Sequence, residues 1–346
     1  MSNQTKIQWA DGTVTPVPYC DGCPLRLPDT AVEREIVKRL RSEGLDRDQI
    51  AVAAAAYRVS VEGSRRKRIL AAVSVAVPAS AMGRKSLILR VTQEIYTTTS
   101  RCYASVLTDN RGGKIKGYAD RFDKPALFPG RMAKAARMGA APDHRPDKPW
   151  LDGCRRLWFV NDMGDALSKA VPFEFLKTEI VDVAASEAGQ RSVWMWLSKR
   201  PKRMGVFCRW LEKQGIAWPQ NLIPMTSVID QAMAGQVKHL LDIPVEPRGL
   251  SVEPLREPVQ LDLRGIGWVI VGGASGPLSQ PFELAWARDI RDQCRRAGIP
   301  YFVKQLGGNP IDNGKPLKLR DGHGGDWSEW AKDLRIRQVP DAFRER

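Results

Sequence analysis

The stretch LWFVNDMGD, Leu157 to Asp165, decides the fold, together with its echo VWMWLSKRP, Val193 to Pro201. Each is a short apolar run that breaks off into charged and hydrogen-bonding residues. A strand that is apolar on both faces belongs to a parallel sheet covered on both sides, because crossover helices screen it from water. Between the two runs lies VPFEFLKTEIVDVAAS, which sets Phe173, Leu176, Ile180 and Val183 on one side of a helix. The unit is therefore strand, polar motif, helix, strand.

Working outward, the unit recurs. LIPMT ends in SVID, RGLSV in EP, WVIV in GGASG, and YFVK in QLGG, where Lys304 and Gln305 close the series. ELAWARDIRDQCRRAG carries Leu284, Ala287, Ile290 and Cys294 at helical spacing and stops at Gly298. KPALF is an earlier, weaker run before PGRMAKAARM, and a further strand precedes Cys20. The count is up to eight strands. The pattern predicts an α/β protein, a (β/α) barrel, complete or partial and TIM-like; an open doubly wound sheet is the alternative. No G-x-G-x-x-G follows a first strand. Every strand ends in a polar motif, as expected when all C-terminal ends line one face.

Residues 29–100 have a different texture. TAVEREIVKRLRSEG repeats Val32, Ile36, Val37 and Leu40 at helical spacing, with Gly44 as its stop. The expected organisation is a barrel domain of 1–28 and 101–330, a helical insertion of 29–100, and a C-terminal tail of 331–346. KLRDGHGGDWSEWAKDLRIRQVP reads as an ordered loop or lid at most. The clusters Arg65–Arg68 and Arg84–Lys85 are solvated helix faces or phosphate contacts.

The 346 residues hold 54 Lys and Arg against 39 Asp and Glu, a net charge of +15. That balance favours a polyanionic partner, of which nucleic acid is the commonest. No apolar run approaches the roughly 18 residues of a membrane span. The N-terminal MSNQTKIQWADG lacks a signal-peptide core, so the expected location is cytoplasmic. There the six cysteines are thiols or metal ligands rather than disulfides. Cys208 and Cys294 fall on helices and read as buried structural thiols.

Cys20 and Cys23 in YCDGCPLRLPD are different, a C-x2-C pair in a Pro- and Gly-rich turn. If the insertion is a bubble on one loop, Cys102 in TSRCYASV returns beside them. Three thiolates leave one position of a four-coordinate site open. Zinc, a 4Fe–4S cluster with one open iron, and unrelated thiols all remain readings of the triplet. At the strand ends, Asp165 is a helix N-cap or a ligand group, and Lys199 and Arg200 are a solvated loop or an anion site. Glu253 points into a barrel mouth, free for ligand or paired with Lys199 or Lys304. The glycines from Gly272 to Gly276 form a tight turn or let backbone approach a ligand.

The chain from Lys6 to Trp330 resembles a phage protein family of unknown function whose genes often neighbour one for a three-Cys-motif partner protein. KIQWADGTVTPVPYC matches its opening and CYA, Cys102 to Ala104, its third cysteine. FVNDMGDAL, WLSKRPKRM, TSVIDQ, LSVEPL, WVIVGGASGP and PYFVKQLG match its later landmarks in order. That family in turn looks like the radical S-adenosylmethionine (SAM) superfamily, most similar to spore-photoproduct-lyase-like barrels. The superfamily motif is C-x3-C-x2-C. Here Cys20 and Cys23 are two residues apart, Cys102 follows after 78 more, and Tyr103 stands after rather than before the third cysteine.

The resemblance implies a radical-SAM-like barrel in which Cys20, Cys23 and Cys102 hold a 4Fe–4S cluster. It implies a SAM site drawn from Tyr103, Asn161, Asp162, Asp165, Lys199, Arg200, Ser251, Glu253, Gly272 and Gly273. A carboxylate of NDMGD would take the SAM ammonium, Lys199 and Arg200 the SAM carboxylate or a substrate phosphate, and Glu253 the ribose or substrate. The implied activity is radical modification or repair of a nucleic-acid base, DNA before RNA, in the host cytoplasm. The three-Cys-motif protein is the implied protein partner. The alternative is a non-enzymatic nucleic-acid-binding phage protein stabilised by an Fe–S cluster or zinc.

Overall fold

The structure is a computed structural model and describes residues 8, 10–20, 28–60, 64–99, 102–111, 119, 121–122, 126–275 and 279–344. The chain divides into two compact units, Met1–Val17 with Leu127–Arg346, and Pro18–Ala126.

The first unit is built on seven parallel strands: β1 (Gly12–Val14), β2 (Arg156–Val160), β3 (Ser192–Ser198), β4 (Leu222–Ser227), β5 (Gly249–Val252), β6 (Trp268–Gly272) and, after the short β7 (Phe282–Glu283), β8 (Tyr301–Gln305). They lie side by side in chain order, β1-β2-β3-β4-β5-β6-β8. A doubly wound sheet reverses its order at a switch point. This one never reverses, so each crossover steps the same way and the sheet curls into a half-barrel. A separate small sheet joins β7 to β9 (Pro310–Asp312) and β10 (Lys315–Pro316). The expected KPALF strand does not form over its described residues, Ala126 to Phe128. There the Phe128 N–H donates sideways to Pro16 O at 2.8 Å, so the segment pads the start of the sheet rather than joining it.

Strand alternation sorts the side chains. Leu157, Phe159, Val193, Met195, Ile223, Met225, Trp268, Ile270 and Phe302 share the concave face. Trp158, Trp194 and Trp196 face the other way. Trp196 meets Phe207 of the helix Pro201–Lys213 edge-on at 5.9 Å, so this is the helix-covered side. The helix Leu284–Ala297 packs on β6 and β8 through the expected Leu284, Ala287, Ile290 and Cys294, and ends at Gly298 with φ 67°. Burial pushes the Cys294 thiol up to about 12, which suits an inert core thiol.

Two features depart from the expected pattern. Between Phe173–Leu176 and Asp182–Ala185 the helix widens into a π turn, Lys177–Val181. The extra residue rotates the next helical turn, so Ala184 is buried where Val183 was expected. Glu179, carried by the π turn, is buried and accepts from the N–H groups of Gly130 (2.7 Å) and Met132 (2.9 Å). It thereby satisfies the start of the helix Arg131–Ala136.

The tail is core rather than loop or lid. Val339 and Phe343 pack on the concave face against the N-terminal halves of the strands. Arg337 is buried with its guanidinium 4.1 Å from the Trp150 ring, 4.9 Å from Trp327 and 5.1 Å from Trp330. These contacts come from short 3₁₀ turns and extended pieces, which have no period for a sequence pattern to display.

The second unit is helical: Asp29–Ser42, Arg47–Val59, Arg65–Ala76, Arg84–Thr99 and Tyr103–Arg111. Its core joins Val32, Ile36 and Leu40 to Tyr57, Ile69, Val73, Val91 and Ile95. The basic clusters are partly internal. Arg65 and Arg68 are buried, and Arg68 donates to Asp29 at 2.9 Å while stacking over Tyr57 at 4.5 Å. Arg84 donates to the carbonyls of Val77 (3.1 Å) and Ser74 (2.8 Å). These three arginines turn toward helix ends, while Arg66, Lys67 and Lys85 of the same clusters are exposed on the helix faces.

Burial alone would raise the Asp29 carboxyl, but the Arg68 and Tyr57 hydrogen bonds and the charges of Arg68 and Arg65 outweigh it, and the group titrates below its ordinary range. A depressed folded pKa contributes stability above the unfolded pKa of about 3.9 and loses it as pH falls through the folded value. Asp29→Asn is therefore expected to lower the melting temperature at neutral pH. The gap from the parent should begin to narrow as the pH drops below about 3.9 and close only below the lower folded value. Thermal unfolding followed by circular dichroism at pH 7 and pH 3 checks it. A gap of equal size at both pH values would exclude the ionic account.

Candidate ligand site at the strand ends

On the concave face the apolar layer stops where the strands end, and polar side chains take over. From β1 comes Thr13, level with Phe159, and then Thr15. Lys199 follows β3, Ser227 ends β4, Ser251 pairs with it on β5, and Glu253 follows one residue beyond β5. Gly272 ends β6 and Lys304 comes from β8. All of these share the parity of the apolar layer below them.

The contacts among them are specific. Lys304 Nζ lies 2.6 and 2.9 Å from the two oxygens of Glu253, with side chains 17% and 15% exposed. This is one of the two pairings the sequence left open. The other cation, Lys199, donates to Ser227 Oγ at 3.2 Å. A Cβ on Gly272 would lie 3.4 Å from Glu253 Cδ and 3.3 Å from Gln305 O, and one on Gly273 would lie 2.3 Å from Leu306 O. The glycines thus let the end of β6 lie flush against its neighbours.

The NDMGD segment divides its duties. Asn161 adopts φ 89°, a left-handed conformation that Asn tolerates better than most residues. Its amide accepts from Val17 N (3.1 Å) and donates to Val17 O (3.0 Å), clamping the chain beyond β1 to β2. Asp162 turns toward β1 and accepts from the Thr15 hydroxyl. Burial pushes its carboxyl up, against the hydroxyl donors of Thr15 and Thr13. Arg131 donates to Thr15 O at 2.7 Å, and its charge is balanced by Asp162 and Glu179.

Asp165 turns to the helix side instead. It is buried and accepts from Ser198 Oγ (2.7 Å), Lys199 N (3.0 Å) and Leu167 N (3.0 Å), with Arg200 Nε at 3.7 Å. It therefore fixes the loop that carries Lys199 and Arg200. Arg200 opens the helix Pro201–Lys213. Sequence reasoning missed Thr13, Thr15 and Ser227, because a hydroxyl in a strand carries no signal until its neighbours are known.

Cys20, Cys102 and Tyr103 belong to the helical unit. Cys102 is buried and its carbonyl accepts from Val106 N at 3.1 Å, so it stands at the start of Tyr103–Arg111. Cys20 is half-buried, and its N–H donates to Phe122 O at 3.4 Å. Cys23 lies outside the described residues. Among the described residues no three His, Cys, Asp or Glu side chains gather around a metal position. Thiols are the donor type that a soft metal centre takes.

The first unit is thus an α/β half-barrel in which polar side chains gather at several strand ends. Residues 90–332 match the family described as a protein of unknown function (DUF5131), and the chain belongs to it. No curated protein and no solved structure matches the chain. No helix among the described residues is long and apolar enough to cross a membrane.

Proposed function

We propose that the protein is an iron–sulfur enzyme of the radical SAM type that modifies or repairs a nucleic-acid base. The observation that carries the reading is the polar ring at the strand ends. It sets Lys199, Ser227, Ser251, the Glu253–Lys304 pair and the Thr13–Thr15–Asp162 group above an otherwise apolar layer.

Cys20, Cys23 and Cys102 would hold a 4Fe–4S cluster. When bound, such a cluster supplies the electron that cleaves SAM. The chain's own groups do the binding. Lys199, steadied by Ser227 and by the Asp165-anchored loop, offers an ammonium to a carboxylate or phosphate. Glu253, oriented by Lys304, offers acceptor oxygens to hydroxyls. Gly272 and Gly273 let a ligand approach the backbone. The net charge of +15 suits a nucleic-acid substrate.

Anaerobic reconstitution tests the reading. About four iron and four sulfide per chain are expected, with release of 5′-deoxyadenosine on reduction. Cys102→Ala should lose both, whereas Lys199→Ala should keep its iron and raise the KM for SAM about tenfold. A Cys102→Ala protein with full iron content and undiminished SAM cleavage sinks the proposal.

A further inference from the structure

We infer that the groove between the segment before the Phe173–Leu176 helix and the solvent face of Pro201–Lys213 binds single-stranded nucleic acid. The groove is shallow and open, offers about 380 Å³, and is lined by Lys169, Val171, Phe173, Glu174, Arg203 and Trp210, among others. The Trp210 indole is half-buried. Phe207, fully buried, stacks on it at 5.9 Å with planes 16° apart. Phe173 meets it obliquely at 5.7 Å. The ring is therefore held from behind while it lines the groove, which is the arrangement of a platform on which a base stacks.

Cations surround the platform. Arg203 lies 4.6 Å over the Phe173 ring and donates to Val171 O at 2.9 Å, so its guanidinium is fixed at the rim. Lys169 and Lys202 are exposed beside it. Lys202, Arg209 and Lys213 recur at helical spacing along the solvent face, where Arg209 pairs with Asp242 at 3.2 Å. Glu174 and Glu212 are the opposing charges. Stacking platforms bordered by cations bind single strands with little sequence preference, because every base has a π face. A duplex keeps its bases stacked on one another and cannot use Trp210 this way.

This inference shares with the proposed function only the nucleic-acid partner. It needs no cluster and no SAM, so each can fail without the other. The test is fluorescence anisotropy of a short labelled oligothymidylate on the full-length protein across a salt series. Trp210→Ala should weaken binding about tenfold and Trp210→Phe less. Lys169→Ala/Lys202→Ala, both exposed and neutral for folding, should flatten the salt slope by roughly 1.4. Glu174→Gln should tighten binding about twofold. Arg295→Ala/Arg296→Ala removes the same charge from another helix and should leave binding unchanged. The inference is overturned if that control weakens binding as much as the lysine pair, if Trp210→Ala binds like the parent, or if a duplex of equal length binds as tightly.

Discussion

Replacing Phe343 with alanine is expected to destabilise the protein by about 3–5 kcal/mol, the usual cost of deleting a fully buried phenylalanine. Phe343 is fully buried on the concave face and meets the Trp268 ring edge-on at 5.3 Å and 86°. Its surroundings cannot easily collapse into the void. The Phe343 carbonyl is tied to Arg155 N at 2.9 Å, and just upstream Gln338 accepts from Trp268 Nε1 and Tyr301 N, both at 3.0 Å. The backbone therefore holds position while the ring is lost, and the cavity term adds to the transfer term. Urea unfolding should show a lower midpoint with an unchanged slope. A loss below about 1 kcal/mol would mean that the last residues add little to the barrel core.

That the tail belongs to the core was not legible in the sequence. Strands and helices announce themselves by period, and Val339 and Phe343 sit in segments without one. The elements with a period were readable. Six apolar runs became strands β2 to β6 and β8, and the helix Leu284–Ala297 buried its expected face. The absence of a dinucleotide fingerprint, with a polar motif after every strand, pointed to a sheet that does not reverse, and the strand order bears that out. KPALF misled because an apolar run of that length pads a sheet as readily as it joins one.

The candidate site was half legible for a related reason. Glu253 and Lys199 stand at strand ends, where the direction of the next side chain follows from alternation. Asp165 stands five residues beyond β2, and only the fold decides that its carboxylate turns to Ser198 rather than into the mouth. Arg65 and Arg68 make the same point in the helical unit. Charge runs usually mark a solvated face, but Asp29 and Tyr57 on neighbouring helices draw these two inward. Partners distant in sequence set the role of a charge, and composition does not show them.

Lys304→Met is expected to cost about 3 kcal/mol, and Glu253→Gln a similar amount, whereas the double substitution should cost markedly less than their sum. At 17% and 15% exposure the pair is largely withdrawn from water, so removing one member strands the other in a place that solvates it poorly. Glu253 lies beside the end of β6, its Cδ 3.4 Å from where a Cβ on Gly272 would stand. Removing both charges leaves a neutral amide beside a thioether and no stranded ion. Denaturant unfolding of the four proteins measures the coupling. A coupling near zero would place the pair with solvent-screened surface ion pairs. A coupling of about 2 kcal/mol or more would show that Lys304 fixes the Glu253 carboxylate at the mouth of the half-barrel. That rigidity is what a ligand-orienting acceptor at this position requires, since a carboxylate free to swing would spend binding free energy on its own ordering.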